Sequence, residues 1–243
     1  MSTAAPLAAL LMSACASAPT QTAADAPAAE ARAPNEVHWV RTAAEHRAIF
    51  LQTYRTATDR LRDFAEGRQP GTWAVILDAD ETVLDNSEYQ RRLAVRGESF
   101  DPETWNDWVR EGVADSLPGA AGFIRTVREL GGRVAIVTNR DQVVCPETRT
   151  NLQQLSMRVD AVLCQSPGES GKDGRFRAVR EGTTGTTLPP LDVLMHVGDN
   201  IQDFPGLTQH IRNASPAAFD NFGRTWFLLP NPMYGSWEDN PPR

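Results

Sequence analysis

Four aspartates occupy positions in the sequence where their carboxylates could act together. Asp78 and Asp80 directly follow one short apolar run, and Asp199 and Asp203 follow another. Ligands of open α/β sheets bind beyond the carboxyl ends of the strands, so we expect these side chains to converge. Carboxylates a few ångströms apart repel one another at neutral pH unless a cation lies among them. Because all of the donors are oxygens, the sequence predicts a Mg²⁺ site.

The spacing of Asp78 and Asp80 predicts what such a site would do. A dication held by carboxylates suits phosphoryl transfer, because it neutralises phosphate charge and orients an in-line attack. Side chains two residues apart in an extended segment point the same way, so one carboxylate could attack phosphorus while the other protonates the leaving oxygen. Each aspartate alone could be an ordinary turn or capping residue. The four together favour a catalytic site.

Lysine occurs once in the chain. Lys172 is the single lysine among 24 basic residues, and the other 23 are arginine. Chance survival of a surface lysine would explain this count. A site that admits a compact ammonium group but not the planar fork of arginine explains it better. We therefore expect Lys172 to supply the fixed positive charge of the site.

Five short apolar runs alternate with helical segments, and this order predicts an α/β fold. The runs are almost continuously hydrophobic, as strands buried on both faces are, and they cover residues 73–77, 133–137, 160–163, 191–197 and 225–229. Helical periodicity covers residues 37–64, as one long helix or two in series, and then 120–130, 146–155 and 172–180. The alternation implies a Rossmann-like core with a parallel sheet, preceded by an N-terminal helical segment.

Residues 84–116 interrupt this alternation. The segment carries Tyr89, Phe100, Trp105 and Trp108 among many charges and has no strand-like run, which predicts a small inserted cap. We expect Tyr89, Phe100 and Trp108 to form a hydrophobic cluster under this cap. The phosphoryl-transfer domain as a whole is expected over residues 36–243.

The N-terminal segment predicts export. Residues 1–15 form an apolar run too short to cross a bilayer, and they end in MSAC at Cys15, which resembles the lipidation signal of bacterial lipoproteins. Residues 16–35 contain nine alanines and three prolines, so we expect a disordered tether. The predicted location is the bacterial cell envelope, as an outer-membrane lipoprotein facing the periplasm or surface, or in the periplasm if Cys15 is not lipidated. The alternative is an alanine-rich N-terminus with a chance cysteine.

Composition excludes several kinds of partner. The 243 residues are 41% hydrophobic and 23% charged, an ordinary globular balance. The net charge of −7 gives no basic field to attract nucleic acid, so duplex DNA is not an expected partner. Contact with a membrane is expected only through a lipid on Cys15. The sequence leaves open whether the protein forms a homo-oligomer.

Two cysteines lie outside the N-terminal segment. Cys145 is expected at the start of the helix after one strand, and Cys164 at the end of the next strand. These positions share one face of the sheet in a parallel βα unit. Since cysteines of exported proteins can pair, we expect a disulfide, and the alternative is two small buried side chains.

The motifs together resemble those of the haloacid dehalogenase superfamily phosphatases. That family's four motifs correspond, in the same order, to Asp78-Ala79-Asp80-Glu81-Thr82, to Thr138, to Lys172, and to Gly198-Asp199-Asn200 with Asp203. More narrowly, residues 76–89 and 197–204 resemble the paired signatures of the class C acid phosphatases, the lipoprotein e family of 5′-nucleotidases. Residues 228–238 resemble the C-terminal segment of the same family. Ala79 and Ile201 depart from the usual residues by conservative packing changes.

The resemblance implies a role for each motif residue. It makes Asp78 the nucleophile that forms an aspartyl-phosphate, and Asp80 the acid and then the base. It assigns Mg²⁺ to the Asp78 carboxylate, the Asp80 backbone carbonyl and Asp199, with Asp203 supporting these ligands from outside the coordination shell. The implied phosphate contacts are Thr138, Asn139 and Lys172.

Substrate selection is expected to come from aromatic residues. Trp105 and Tyr234 resemble aromatic positions of the family's nucleotide pocket, where a base stacks. The resemblance therefore implies a Mg²⁺-dependent acid phosphatase that hydrolyses phosphomonoesters, nucleoside 5′-monophosphates among them. Two alternatives stay open: a catalytically inactive nucleotide- or phosphate-binding lipoprotein, and a phosphotransferase.

Overall fold

The computed structural model describes residue 1 and residues 33–242. The predicted signal segment, Cys15 and almost all of the predicted tether lie outside the described residues. The helices of the described part are α1 (Asn35–Thr42), α2 (Ala44–Ala65), α3 (Ser87–Arg96), α4 (Pro102–Glu111), α5 (Ala120–Glu129), α6 (Cys145–Gln154) and α7 (Asp173–Glu181). None of these helices is both long enough and apolar enough to span a bilayer.

The predicted N-terminal helical region is two helices in series. Ala43 is extended, with φ −78° and ψ 130°, and it separates α1 from α2. Asn35, which the sequence assigned to the tether, is instead the first residue of α1. Val37 and Val40 of α1 are buried against Met233 of the C-terminal segment, so this helix belongs to the folded domain.

All five predicted strands form one parallel sheet, which confirms the α/β fold class. The strands are β1 (Trp73–Leu77), β4 (Arg133–Asp141), β5 (Ala161–Gln165), β6 (Asp192–Gly198) and β7 (Trp226–Leu228), and two short strands, β2 (Leu84–Asp85) and β3 (Asp115–Ser116), pair separately. The order in the large sheet is β5-β4-β1-β6-β7, with β1 in the centre. Its neighbours β4 and β6 therefore end beside it.

Strand β1 is buried on both faces because helices cover each side of the sheet. Its alternating residues Trp73, Val75 and Leu77 belong to the larger core cluster, which also holds the apolar stripes of α2 and α5. Ala74 and Ile76 point the other way and pack in a second cluster with residues of α7. This two-sided burial explains the unbroken hydrophobic run in the sequence.

The inserted cap consists of α3 and α4 between the paired strands β2 and β3. The prediction of no strand in this segment was wrong for its two ends, where the strands are too short to produce a periodic pattern. Asp101 caps the start of helix α4, and its carboxylate accepts from the N–H groups of Glu103 and Thr104. Phe100 was predicted to lie in a cluster under the cap, but it is 60% exposed, in the loop that precedes α4.

Cys145 and Cys164 form a disulfide, as predicted. The bond joins the first turn of α6 to β5, and the two Cα atoms are 5.9 Å apart. A crosslink between residues 19 positions apart stabilises the fold by about 3 kcal/mol in the chain-entropy account. It anchors the helix that directly follows the polar end of β4.

Candidate active site

The carboxyl ends of β1 and β6 bring three of the predicted aspartates together. Leu77 of β1 pairs with Val197 of β6, and the N–H of Asp78 donates to the carbonyl of Val197 at 3.0 Å. Carboxylate oxygens of Asp78, Asp199 and Asp203 lie within 4.8 Å of one another. Asp78 and Asp203 are buried, and Asp199 is half-buried. Their convergence follows from adjacent parallel strands that end at the same edge.

Lys172 lies inside this cluster. It immediately precedes α7, and its Nζ is 2.5 Å from Asp78 Oδ1 and 2.6 Å from Asp203 Oδ1. Burial opposes the charge of the ammonium group, but Asp203 and Asp78 outweigh burial and raise its pKa. The single lysine of the chain is therefore a buried, charged partner of the predicted nucleophile.

One ammonium does not balance three carboxylates, and the pKa shifts show this. Burial raises the pKa of Asp78 to about 7, against the opposing effect of Lys172. Burial and the neighbouring carboxylates Asp203 and Asp78 likewise raise the pKa of Asp199 well above its usual value. A dication among these oxygens would favour their charged forms. The donor set fits a hard cation such as Mg²⁺.

Asp203 reaches the cluster because Gly198 has no side chain. Asp203 ends the short 3₁₀ turn Ile201–Asp203, and its Oδ2 accepts from the N–H of Asn200 at 2.8 Å. A Cβ on Gly198 would lie 2.3 Å from the Cβ of Asp203, which is closer than two carbons can approach. The glycine of the Gly-Asp-Asn motif therefore permits the turn that orients Asp203.

Asp199 is oriented by two side chains from other segments. Asn231 donates to its Oδ2 at 2.9 Å, and Thr82 donates to its Oδ1 at 3.3 Å. Asn231 was not predicted as a site residue. The rule that located the aspartates would have located it as well, because Asn231 follows β7 at the same edge of the sheet.

The side chain of Asp80 lies apart from this cluster. Its Oδ1 accepts from Nε of Arg140 and from the amide of Asn86, both at 2.9 Å, and Nη2 of Arg140 forms an ion pair with the same oxygen at 2.8 Å. Thr138 Oγ1 donates to its Oδ2 at 3.4 Å. Asp80 thus faces the cap, while Asp78 faces Lys172. Arg140 and Asn86 are site residues to which the sequence analysis assigned no role.

Thr138 and Asn139 were expected just after a strand that ends at Val137, but β4 continues to Asp141 and includes both residues. A buried arginine holds them in place. Arg175 of α7 donates to the carbonyl of Thr138, to Oδ1 of Asn139 at 2.8 Å and to the carbonyl of Gly171 at 2.7 Å. Because Arg175 donates to the amide oxygen of Asn139, the NH₂ group of Asn139 remains available to a ligand. Arg175 also links β4 to the segment that carries Lys172. It was missed because arginine in an amphipathic helix normally faces solvent.

Two cavities meet at Asp80. The catalytic cavity, about 430 Å³, is lined by Asp78, Lys172 and the acidic cluster. The cap-side cavity, about 690 Å³, is lined by Trp105, Phe100, Arg140 and residues of α1. Asp80, Asn139, Tyr234 and Gly235 border both cavities. A ligand at Asp78 therefore has the cap-side cavity next to it, on the side of Asp80.

The two residues predicted to stack with substrate both line the cap-side cavity. The ring of Trp105 contacts Tyr89 at a centroid distance of 5.1 Å, and the Arg140 guanidinium lies 5.7 Å from it. The hydroxyl of Tyr234 is buried and has no hydrogen-bond partner in the described structure. The start of helix α1 also lines this cavity, through Pro34, Glu36 and Val37, which the sequence did not indicate.

Asp78 and Asp80 follow the central strand of a parallel sheet, and Lys172 contacts Asp78. An acidic turn follows the neighbouring strand. This arrangement defines the haloacid dehalogenase (HAD) type of phosphoryl-transfer site. The family model of the HAD superfamily, subfamily IIIB (acid phosphatase), matches residues 2–237. The chain belongs to this family.

Solved structures agree with this assignment. The class C acid phosphatase of Bacillus anthracis, solved both with tungstate bound and without it, is 31% identical to this chain, with a TM-score of 0.73 over 84% of this chain and 85% of that one. Acid phosphatase 1 of Solanum lycopersicum is 26% identical over 167 residues. That alignment covers 65% of this chain and 57% of the tomato protein, so the chain spans somewhat more than half the length of this curated relative.

Proposed function

We propose that this protein hydrolyses phosphomonoesters through a phosphoaspartyl intermediate on Asp78. The observation that carries the proposal is the placement of Asp78 beside the buried ammonium of Lys172, with a second carboxylate, Asp80, turned toward the adjoining cavity. Family membership and the acid phosphatase named among its structural neighbours support the same reaction class. The geometry of the site and the family membership of the chain therefore both favour the acid-phosphatase reaction.

The reaction has two steps at phosphorus. In the first, Asp78 attacks and the bond to the leaving oxygen breaks as Asp80 gives that oxygen a proton. In the second, Asp80 takes a proton from water, which attacks phosphorus and releases Asp78 and inorganic phosphate. Lys172 and the free NH₂ of Asn139 are donors available to the phosphoryl oxygens, and Thr138, whose hydroxyl contacts Oδ2 of Asp80, immediately precedes Asn139.

We further propose Mg²⁺ as the cofactor. Asp78, Asp199 and the backbone carbonyl of Asp80 would hold it, with Asp203 fixing the surrounding turn. When bound, the ion would neutralise charge on the phosphoryl group and orient it for attack. The raised pKa values of Asp78 and Asp199 support this proposal, because a cation among these carboxylates would favour their charged forms.

Nucleoside 5′-monophosphates are the proposed substrate class. The leaving group must lie beside Asp80, and the cavity on that side is large, about 690 Å³, and holds Trp105 and Tyr234. A purine or pyrimidine ring could stack on these side chains. The proposed location remains the bacterial cell envelope, with a lipid on Cys15 as the anchor.

The test is phosphate release by purified protein from 5′-AMP and from dinitrophenyl phosphate between pH 4 and 8, with Mg²⁺ and with EDTA. We expect turnover of both substrates with the metal, none with the chelator, and recovery on adding Mg²⁺ back. Mass spectrometry of acid-quenched protein should locate phosphate on Asp78. Binding of 5′-AMP without turnover would instead identify a binding protein, and transfer of phosphate to an added nucleoside would identify a phosphotransferase.

A further inference from the structure

Arg140 is the most completely buried charged side chain near the proposed acid. It is 1% exposed, at the end of β4, and its guanidinium makes hydrogen bonds through all three nitrogens. Nε and Nη2 contact Oδ1 of Asp80, and Nη1 donates to Thr148 of α6 at 3.3 Å. With these contacts made, little of the guanidinium is left to contact a substrate directly.

Residues of the cap hold the arginine in turn. Asn86, at the start of α3, accepts from Nη2 of Arg140 at 3.1 Å and from Nε1 of Trp108 at 2.8 Å. The amide NH₂ of Asn86 donates to Asp80, and Glu81 accepts from the backbone N–H of Asn86 at 2.8 Å. Every polar atom of the Asn86 side chain is therefore used, so its orientation is fixed by the cap.

The contacts divide the two oxygens of Asp80 unequally. Oδ1 receives donors from Arg140 and from Asn86, at 2.8 to 2.9 Å. Oδ2 has one long contact of 3.4 Å with Thr138 Oγ1. When fixed donors saturate one oxygen of a carboxyl group, the proton must lie on the other oxygen. The O–H bond of that oxygen is then held in one orientation.

We propose that Arg140 is a positioning residue for proton transfer. It fixes Oδ1 of Asp80, together with Asn86, so that Oδ2 presents its proton to the leaving oxygen as the bond from that oxygen to phosphorus breaks and the bond from Asp78 to phosphorus forms. Trp108 acts one step further out, through Asn86. This inference rests on the proposed function, in which Asp80 is the acid.

The role can be separated from mere structural support by varying the leaving group. Dinitrophenolate departs without a proton, whereas the alkoxides of 5′-AMP and ethyl phosphate require one. The parameter kcat/KM reports the steps up to cleavage of this bond. Mispositioning Asp80 should therefore lower kcat/KM for the alkyl esters and spare the dinitrophenyl ester, whereas a loosened fold should lower all three together.

The experiment compares Arg140→Gln, Arg140→Lys, Trp108→Phe and Asp80→Asn with the natural protein on these three substrates. We expect Arg140→Gln to lose about 100-fold in kcat/KM on the alkyl esters and less than about tenfold on the dinitrophenyl ester. Arg140→Lys should recover part of the loss, and Trp108→Phe should show a smaller change of the same pattern. Arg149→Lys is the matched control, since Arg149 donates to the carbonyl of Val162 away from the site.

Each outcome decides the matter. Equal losses on all three substrates for both Arg140→Gln and Trp108→Phe would reduce Arg140 to a structural residue and overturn the inference. If Arg140→Gln does not fold, as judged by circular dichroism, the same comparison is made with Arg140→Lys and Trp108→Phe. If Asp80→Asn itself spares the alkyl esters, the proposed function is wrong, whereas a selective loss in Asp80→Asn without one in the Arg140 variants refutes the positioning role alone.

Discussion

The catalytic cavity and the cap-side cavity share four lining residues but differ in the polarity of the rest of their linings. Around Asp78 the side chains are charged, mostly buried and bonded to one another, as the two short contacts of Lys172 show. Around Trp105 the lining is largely apolar and comes mostly from α1, the cap and the C-terminal segment. The hydroxyl of Tyr234 has no hydrogen-bond partner among the residues that the structure describes.

This difference shows where the molecule tolerates change. Buried charges are stable only when their partners stay in place, so a substitution in the catalytic cavity should affect both chemistry and fold. The cap-side cavity depends on shape and stacking, and each contact there contributes a modest amount. We therefore expect large, substrate-independent effects on one side of Asp80 and smaller, substrate-dependent effects on the other.

The largest effect is expected for Asp78→Asn. The amide is a poor nucleophile, so kcat should fall at least about 1,000-fold on every substrate. Steady-state phosphate release from 5′-AMP and dinitrophenyl phosphate measures this loss. A variant that kept a tenth of the activity would exclude Asp78 as the nucleophile and remove the distinction between the two cavities.

Replacing Lys172 should have the next largest effect. Lys172→Met removes the charge that lies 2.5 Å from Asp78, and we expect a 100- to 1,000-fold loss of kcat, roughly that of removing one oxyanion donor. Lys172→Arg should restore little, because a planar fork cannot occupy the position of one nitrogen between Asp78 and Asp203. Full rescue by arginine would show that the requirement for lysine at position 172 has no steric basis.

Trp105→Ala tests the opposite side. Loss of stacking worth about 1 to 3 kcal/mol should raise KM for 5′-AMP about 5- to 150-fold and leave dinitrophenyl phosphate almost unchanged. Trp237→Ala is the matched control, because Trp237 is 44% exposed and borders neither cavity. An equal loss on ethyl phosphate, which has no base to stack, would mean that Trp105 acts through Arg140, whose guanidinium lies over its ring. Equal losses on dinitrophenyl phosphate as well would mean that Trp105 only supports the fold.

The smallest expected effect is the pH dependence that His196, buried in the sheet, gives to the free energy of unfolding. Burial, aided by Arg180, lowers the pKa of His196 to about 3. The folded protein therefore keeps this histidine neutral while the unfolded chain, with a pKa near 6.5, protonates it. Stability contributed by neutral His196 is complete above pH 6.5 and is lost as the pH falls toward 3, about 2 kcal/mol of it by pH 5.

The test of this pH effect is urea unfolding of His196→Phe and the natural protein at pH 7 and pH 5. The natural protein should lose about 2 kcal/mol more than the variant on acidification. Because each protein is compared with itself, any general destabilisation by phenylalanine cancels. An identical loss in both would show that His196 is not the source of the acid sensitivity.

Much of this organisation follows from the sequence because it depends on local pattern. A strand buried on both faces must be apolar throughout, and its first polar residues must lie at the sheet edge, so Asp78 and Asp199 were located correctly. Arg140 and Arg175 were not found, since nothing in a single sequence says which arginine folds inward to meet a carboxylate or a carbonyl. The contribution of α1 to the cap-side cavity was equally hidden, because it depends on packing against the distant Met233.

The paired strands β2 and β3 place the two ends of the cap side by side, with Leu84 opposite Ser116 and Asp85 opposite Asp115. An insertion whose ends are neighbours can lengthen, shorten or be exchanged without moving the strands that carry Asp78 and Asp199. Evolution can therefore vary most of what lies between β2 and β3, provided that Asn86 keeps its contacts with Arg140 and Asp80. The same junction offers protein engineers a place to graft a different cap and redirect the enzyme to other esters.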